Sequence, residues 1–497
     1  MAKHIIRILI ILGAIYLLLL IPEADPSFTC AENQKSFTWN RDQYWAVLET
    51  GFRDARSAGC DNLSYRISAR FDTLAGHIIR LESDSVPPHD PLFDRIESNL
   101  FELGVLLAAC PDSLRKYIPA FGRLRTRLKE QSARWDINTR PARDCIYRLL
   151  YGGRTAIEEI ILQAPEASIE ETIRGSDEAS STPSATILGV KIHSGDILVS
   201  RGGAPTSALI ARGNDYPGNF SHAALVHVDR PDGKISIIEA HIERGVAIAD
   251  IDDYFRDTKL RVMILRLRSD LPAMRADPIL PHRAAGYALQ RALDEHIPYD
   301  FEMDAEESSK MFCSEVVLDA YRHEGVRLWQ GLSTISQAGI RSWLAAFGVK
   351  NFTTQEPSDL EYDPQLRVVA EWRDYKTLRD DRLDNAVVDI MLEGAENGDP
   401  LEYEWYMLPP ARILKAYSMV LNLFGGVGPI PEGMNATAAL RNDRFSQKHR
   451  AIKENLIPLV ERFIEENEYP PPYWKLISLA RQASAGIIEN DRTPPVE

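Results

Sequence analysis

The sequence predicts an α+β domain set between two helical regions. Two changes of hydrophobic period and one change of composition lead to this expectation. From Asn40 to Gln163 apolar residues recur at spacings of three and four, as in Trp45, Leu48 and Phe52, then Leu63, Ile67, Phe71 and Leu74, then Phe93, Ile96, Leu100 and Leu103. That is the period of a buried helix face. Beyond Thr186 the apolar residues fall into short runs and period-two alternation, which reads as strands. After Lys350 the helical period returns.

Each element has its own signal. Pro87-Pro88, Pro111 and Pro141 punctuate the first region near plausible helix starts, giving a bundle of four or five helices. Residues 164–186 are poor in apolar side chains and rich in Glu, Ser, Thr and Ala, a linker composition. The runs 196–200, 223–228, 235–240 and 262–267 read as strands, and Arg283–Glu295 and Cys313–Glu324 as helices, the second closed by Gly325. Strands followed by helices, without strict alternation, argue for α+β. In the last region Leu383–Ala395, Pro410–Phe424 and Ser446–Glu466 read as helices, with Pro458 a possible kink. The organisation expected is therefore 1–21 as an export signal or membrane anchor, 22–163 as a helical domain, 164–186 as linker, 187–349 as the α+β domain, and 350–497 as a helical extension.

Composition bounds the function. A chain of 497 residues, 44% hydrophobic and 26% charged, is ordinary globular protein. Lys and Arg number 57 against 72 Asp and Glu, for a net charge of −15. That balance lacks the basic footprint of a nucleic-acid binder, so no nucleic-acid partner is expected.

Residues 5–21 are apolar except for Arg7, and Ile8–Ile21 is uninterrupted. Lys3 and Arg7 supply a positive flank. The stretch is short for a span, yet no small-x-small cleavage site follows it. It reads as an export signal that persists as an anchor, placing the protein in the periplasm or cell envelope, held in the cytoplasmic membrane by residues 5–21. Cys30, Cys60, Cys110 and Cys145 precede residue 150 and Cys313 stands apart, a usage that fits up to two disulfides and one free thiol. The pairing stays open.

Chemistry concentrates in the α+β domain. Cys313 opens a helix whose apolar face is Val316, Val317, Ala320 and Tyr321. The first turn of a helix presents free N–H groups and partial positive charge, which favour a thiolate and can hold an oxyanion. A cysteine nucleophile needs a base. His222, at the start of the strand after the turn at Asp215–Asn219, is the best placed of the histidines here. The base needs an orienting acid. Glu239 shares a strand face with Ile235, Ile237 and His241, and the short connection from Val228 to Lys234 makes a hairpin that can bring it to His222. His241 is the reserve candidate. A metal site built from His222, His227, Glu239 and His241 is disfavoured, because an offset of five turns His222 and His227 to opposite faces. No metal and no cofactor are expected. Gly202-Gly203 precedes a short helix without the Gly-Lys-Ser/Thr of a phosphate loop and reads as a turn shaping a cleft.

The segments Gly195-Asp-Ile-Leu, Phe220-Ser-His-Ala-Ala-Leu-Val, Ile238-Glu-Ala, Gly245-Val, Pro298-Tyr-Asp-Phe and Phe312-Cys-Ser-Glu-Val-Val occur in this order. The set resembles the circularly permuted papain-like (NlpC-type) cysteine hydrolases of the YiiX/YebB-like group, in which the histidine precedes the cysteine. The resemblance covers roughly residues 190–330. It implies an antiparallel sheet packed on the nucleophile helix, with Cys313 as nucleophile, His222 as base and Glu239 as orienting acid. Asp196 and Tyr299 are family-like positions without an implied role. The resemblance implies acyl chemistry at a carbonyl, either amide hydrolysis or lipid acyl transfer. Taken with the export signal, the expected activity is cleavage of an amide in the bacterial envelope, peptidoglycan peptide for example, through an acyl-enzyme on Cys313. A lipid-directed thioesterase or acyltransferase and a non-enzymatic binding module with a papain-like cleft are the alternatives. The expected partners are an envelope amide or acyl substrate and the membrane at the N-terminal segment.

Overall fold

The computed structural model describes residues 2–23, 35–37, 41–166, 170–230, 232–304 and 307–492. The first helix, α1 (Ala2–Leu19), is followed by five that form a bundle: α2 (Arg41–Ala58), α3 (Cys60–Ser83), α4 (Pro91–Ala109), α5 (Leu114–Ser132) and α6 (Arg140–Gln163). Helix α4 starts where the sequence expects, with Asp90 accepting from Leu92 N at 2.7 Å and Pro91 in the first turn. The periodic residues Leu63, Ile67, Phe93, Ile96, Leu100 and Leu103 are buried in the bundle core. Cys60 and Cys110 form a disulfide across 50 residues, which by chain entropy stabilises the bundle by about 4 kcal/mol. Cys145 is a free thiol buried in the same core. Cys30 lies outside the described residues.

The central sheet has seven strands among the described residues, all antiparallel to their neighbours. In chain order they are β1 (Thr172–Arg174), β4 (Ile197–Gly202), β5 (His222–Val228), β6 (Ile235–His241), β7 (Gly245–Ala249), β8 (Lys259–Leu267) and β11 (Leu366–Trp372), arranged β1-β11-β8-β4-β5-β6-β7. A small hairpin of β2 (Ser184–Ile187) and β3 (Val190–His193) lies beside it, and β9 (Ser333–Thr334) pairs with β10 (Thr353–Thr354). One sheet face, with Ile197, Val199, Ala223, Leu225 and Ile238, packs on α10 (Leu280–Asp294) and α11 (Cys313–His323). The other, with Leu198, Ala224, Val226 and Ile237, packs on the hairpin and on Tyr254 of α8 (Ile251–Arg256).

Two strands of the central sheet come from outside the interval 187–349: β1 from the stretch read as linker, and β11 from the stretch read as helical extension. Strand β11 reads Leu-Arg-Val-Val-Ala-Glu-Trp, and its Arg367 and Glu371 are buried in ion pairs. A charge neutralised by a partner breaks the apolar pattern without breaking the strand. The remaining helices are α7 (Pro205–Arg212), α9 (Pro272–Ala276), α12 (Ala338–Phe347), α13 (Tyr375–Glu396), α14 (Leu408–Leu423), α15 (Ala436–Asn467) and α16 (Tyr473–Arg492), with α15 running on through Pro458.

The expected membrane anchor is overturned. Among the described residues no helix is long and apolar enough to cross a membrane. Helix α1 has 18 residues and carries Lys3, His4 and Arg7 in its first turns, so the apolar part falls short of the roughly 20 residues a bilayer core requires. The periplasmic or envelope location inferred from that anchor falls with it. Helix α1 instead lies beside α14, where Arg412 Nη2 donates to Ile21 O at 2.5 Å.

The bundle, sheet and C-terminal helices meet at a buried ionic network. Arg154 of α6 donates from Nε and Nη2 to Glu361 at 2.7 and 2.8 Å and from Nη1 to Glu158 at 2.9 Å. Glu158 also accepts from Arg261 of β8 at 2.5 Å. Arg261 pairs with Asp381 of α13, which Arg201 of β4 approaches at 3.3 Å. All these side chains are 0–2% exposed. On β11, next to the edge strand β1, Glu371 accepts from Arg125 and Arg373 at 2.5 and 2.9 Å. Burial alone would raise its pKa, but the two arginines outweigh burial and hold it at about 2. A depressed carboxylate stabilises fully above its ordinary pKa, and the contribution is lost as pH falls towards about 2.

Asp381→Ala leaves Arg201 and Arg261 buried without their shared partner. It is expected to lower the unfolding free energy by about 3–5 kcal/mol in urea titration. A loss below about 1 kcal/mol, within the range of an exposed pair, would show that these guanidinium groups are hydrated.

Candidate active site

Strand β5 begins at His222, where the chain leaves the turn at 215–219 and joins the sheet opposite Ser200. Helix α11 begins at Cys313, and its predicted apolar face, Val316, Val317, Ala320 and Tyr321, is buried against the sheet. Phe312 N donates to Glu315 Oε2 at 2.8 Å, closing the first turn. The Cys313 thiol meets the backbone on both sides of His222: Sγ lies 3.9 Å from Ser221 O and accepts from Ala223 N–H. Cys313, His222 and His241 line one cleft of about 800 Å³, together with Gly202 and Gly203 of the expected turn. A separate cavity of about 120 Å³, between the bundle and α16, contains none of these residues.

The hairpin joins β5 to β6 with Ala224 opposite Glu239, so Glu239 lies diagonal to His222 on the same face. Glu239 Oε2 is 2.6 Å from His222 Nε2, and Oε1 is 2.9 Å from His241 Nε2. One carboxylate therefore holds two imidazoles, whose ring centres are 5.9 Å apart. Its pKa lies well below the ordinary value, because the hydrogen bonds from His222 and His241 outweigh burial. A carboxylate only accepts, so both Nε2 atoms carry hydrogen. His222 then keeps Nδ1 as its basic nitrogen. Burial, the largest effect on His222, lowers its pKa despite Glu239. Burial also opposes protonation of His241, but there the Glu239 hydrogen bond and charge win and the pKa is raised.

The helix N-terminus was expected to favour a thiolate. The Ala223 and Ser314 N–H groups do act in that direction, but full burial dominates and pushes the Cys313 thiol up to about 12. At rest Cys313 is therefore held as a thiol.

Other sequence candidates have structural places. His227 is on the opposite face of β5 from His222 and stacks on His282 with ring centres 5.0 Å apart. Among the described residues no group of three or more His, Cys, Asp or Glu is placed to hold a metal ion. Asp196 accepts from Arg266 Nε and Nη2 at 2.8 and 2.7 Å, tying β4 to β8. Gly195 before it has φ 94°, and a Cβ there would lie 2.3 Å from Pro281, so the turn requires glycine. Tyr299 lines the cleft. Sequence reading missed Tyr254, Lys259 and Glu356. Lys259 Nζ stands 4.4 Å over the Tyr254 ring and faces Glu239. Glu356 lines the cleft from the far end of the domain, and its one signal is the following Pro357, which marks an extended residue.

In this domain the histidine-bearing sheet comes ahead of the cysteine-bearing helix. Residues 191–370 match the family model of permuted papain-like amidase enzymes, the YaeF/YiiX, C92 family. The match bears out the resemblance read from the motifs and extends into β11. No curated protein and no solved structure matches the chain.

Two titrations check the proton placement. Cys313 should react with iodoacetamide more slowly at pH 7 than a free thiol does, with a rate still rising above pH 10. A plateau near the free-thiol pKa of about 8.5 would contradict it. In Glu239→Gln, the NMR titration of His241 should move down, because the carboxylate that favours its cation is gone. An unmoved midpoint would assign the shift to another group.

Proposed function

We propose that the protein is a cysteine-dependent amidase in which Cys313 is the nucleophile, His222 the base and Glu239 the group that orients it. The supporting observation is the placement of the Cys313 thiol against the backbone flanking His222, while Glu239 occupies His222 Nε2. As Sγ forms its bond to the amide carbonyl carbon, the thiol proton passes to His222 Nδ1. The carbonyl π pair moves onto oxygen. When the tetrahedral intermediate collapses, the C–N bond breaks and the imidazolium gives that proton to the leaving amine. Water, deprotonated by His222, then attacks the acyl-enzyme, and Cys313 leaves as the thiol once the proton returns. Glu239 keeps the tautomer throughout and stabilises the imidazolium.

The substrate class we favour is a peptide-like amide, the stem peptides of peptidoglycan among the candidates. The cleft volume is in the range of small-molecule and peptide sites. The protein is assayed against peptidyl-aminomethylcoumarin amides, peptidoglycan stem peptides and acyl thioesters. Amide turnover is expected, with an acyl adduct on Cys313 detectable by mass spectrometry, and turnover should fall by at least about 10³-fold in Cys313→Ala and in His222→Ala. Because His222 must be neutral and its pKa is lowered, the acid limb of kcat/KM should lie below the ordinary imidazole value near 6.5. Turnover of thioesters alone would replace the amidase with the lipid-directed alternative. Turnover that survives Cys313→Ala would refute the nucleophile.

A further inference from the structure

Glu356 is a buried carboxyl group on the cleft wall that the mechanism above does not use. It is 4% exposed, and its Oε2 has no hydrogen-bond partner among the described residues. An unpartnered buried carboxyl oxygen is costly unless something in the working site uses it. Its position is built rather than incidental. Trp329 Nε1 donates to Glu356 O at 2.9 Å, and Glu356 N donates to Asp359 Oδ2 at 3.2 Å. Two residues on, Ser358 Oγ accepts from Phe220 N and donates to Phe220 O, both at 2.9 Å. Glu361 is clamped by Arg154. The segment 356–361 is thus pinned to the backbone two residues before His222.

The titratable groups facing Glu356 are Asp359 on its own segment, Cys313 at the start of α11, and Tyr299, which itself faces Asp300 and Glu315. Asp359 is paired with Arg143, and among the described residues no cation acts directly on Glu356. Burial, then the Asp359 charge, pushes its pKa up to about 8. At neutral pH the group is a carboxylic acid with a proton to donate.

Resting on the assignment of Cys313 as nucleophile, we propose that protonated Glu356 donates a hydrogen bond to the oxyanion formed when Cys313 attacks the carbonyl. Cys313 N–H, in the first turn of α11, has no intrahelical acceptor and is the natural second donor. When Sγ bonds to carbon, the π pair moves to oxygen and the Glu356 O–H bonds to that oxygen without transferring its proton. A carboxylate at this position would repel the same oxyanion, so catalysis should fail as Glu356 ionises.

The test uses the full chain with a peptidyl-aminomethylcoumarin amide, and a peptide aldehyde as a turnover-independent probe of the tetrahedral adduct. Glu356→Ala should lose about 10²–10³-fold in kcat with KM nearly unchanged, and about as much in aldehyde affinity. Its Cys313 alkylation should remain, which shows that the domain is folded and the thiol accessible. Glu356→Gln, a neutral donor of the same shape, should recover most of that loss and move the alkaline limb of the pH profile above the wild-type value near 8. Tyr299→Phe should leave that limb in place. Glu356→Gln as impaired as Glu356→Ala overturns the proposal, as does an alkaline limb that Glu356→Gln does not move, or a loss carried by Tyr299→Phe instead. Turnover that survives Cys313→Ala refutes the nucleophile itself, a different failure from a Glu356 variant that behaves like the wild type.

Discussion

The structure depends on a group of arginines and carboxylates taken out of water together. Arg154, Glu158, Glu361, Arg261, Asp381 and Arg201 come from the bundle, the sheet, the segment after β10 and α13. Each ion costs several kcal/mol to desolvate, and that cost is offset only when every partner is in place. The network therefore joins three regions of the chain into one assembly. Arg154 also donates to Asn219 Oδ1 at 3.2 Å, so the same guanidinium that clamps Glu361 holds the turn that delivers His222. The strand that begins at His222 and the segment bearing Glu356 share one anchor.

Within the cleft a single carboxylate sets the protonation pattern. Glu239 lies between two imidazoles and forces Nε2–H on both, which leaves Nδ1 of His222 as its unprotonated ring nitrogen. Burial then acts with opposite sign on the acid and base partners. It raises the Cys313 thiol and lowers the His222 imidazolium, so both changes favour the neutral pair. His241 receives enough from Glu239 to move the other way. Two histidines on one acid are thus shifted in opposite directions by differences in their surroundings.

Much of the site was legible before the structure because the signals were local. Cys313 begins a helix, His222 begins a strand, and the six-residue connection after Val228 makes a hairpin, which puts Glu239 on the face of His222 by period two alone. The bundle was legible for the same reason, since its buried residues repeat at helical spacing. Strand β11 was not, because its buried Arg367 and Glu371 break the apolar pattern and draw part of their pairing from Glu130 and Arg125, more than 200 positions away. The N-terminal run was misread because apolar composition alone does not give a span, and charge in its first turns shortens what is left. The shift of the Cys313 thiol ran against the helix-terminus argument, since a local dipole is weaker than complete burial.

The sequence by itself determined which residues are chemically able to act, the α+β character and the order of histidine before cysteine, because helical turns, strand alternation and short hairpins are properties of neighbouring residues. Only the tertiary structure decided that Glu239 serves two histidines, that Cys313 rests as a thiol, that β11 completes the sheet and that Glu356 enters the cleft. Each of those depends on desolvation and on charges brought together from distant parts of the chain, and neither quantity exists until the chain has folded.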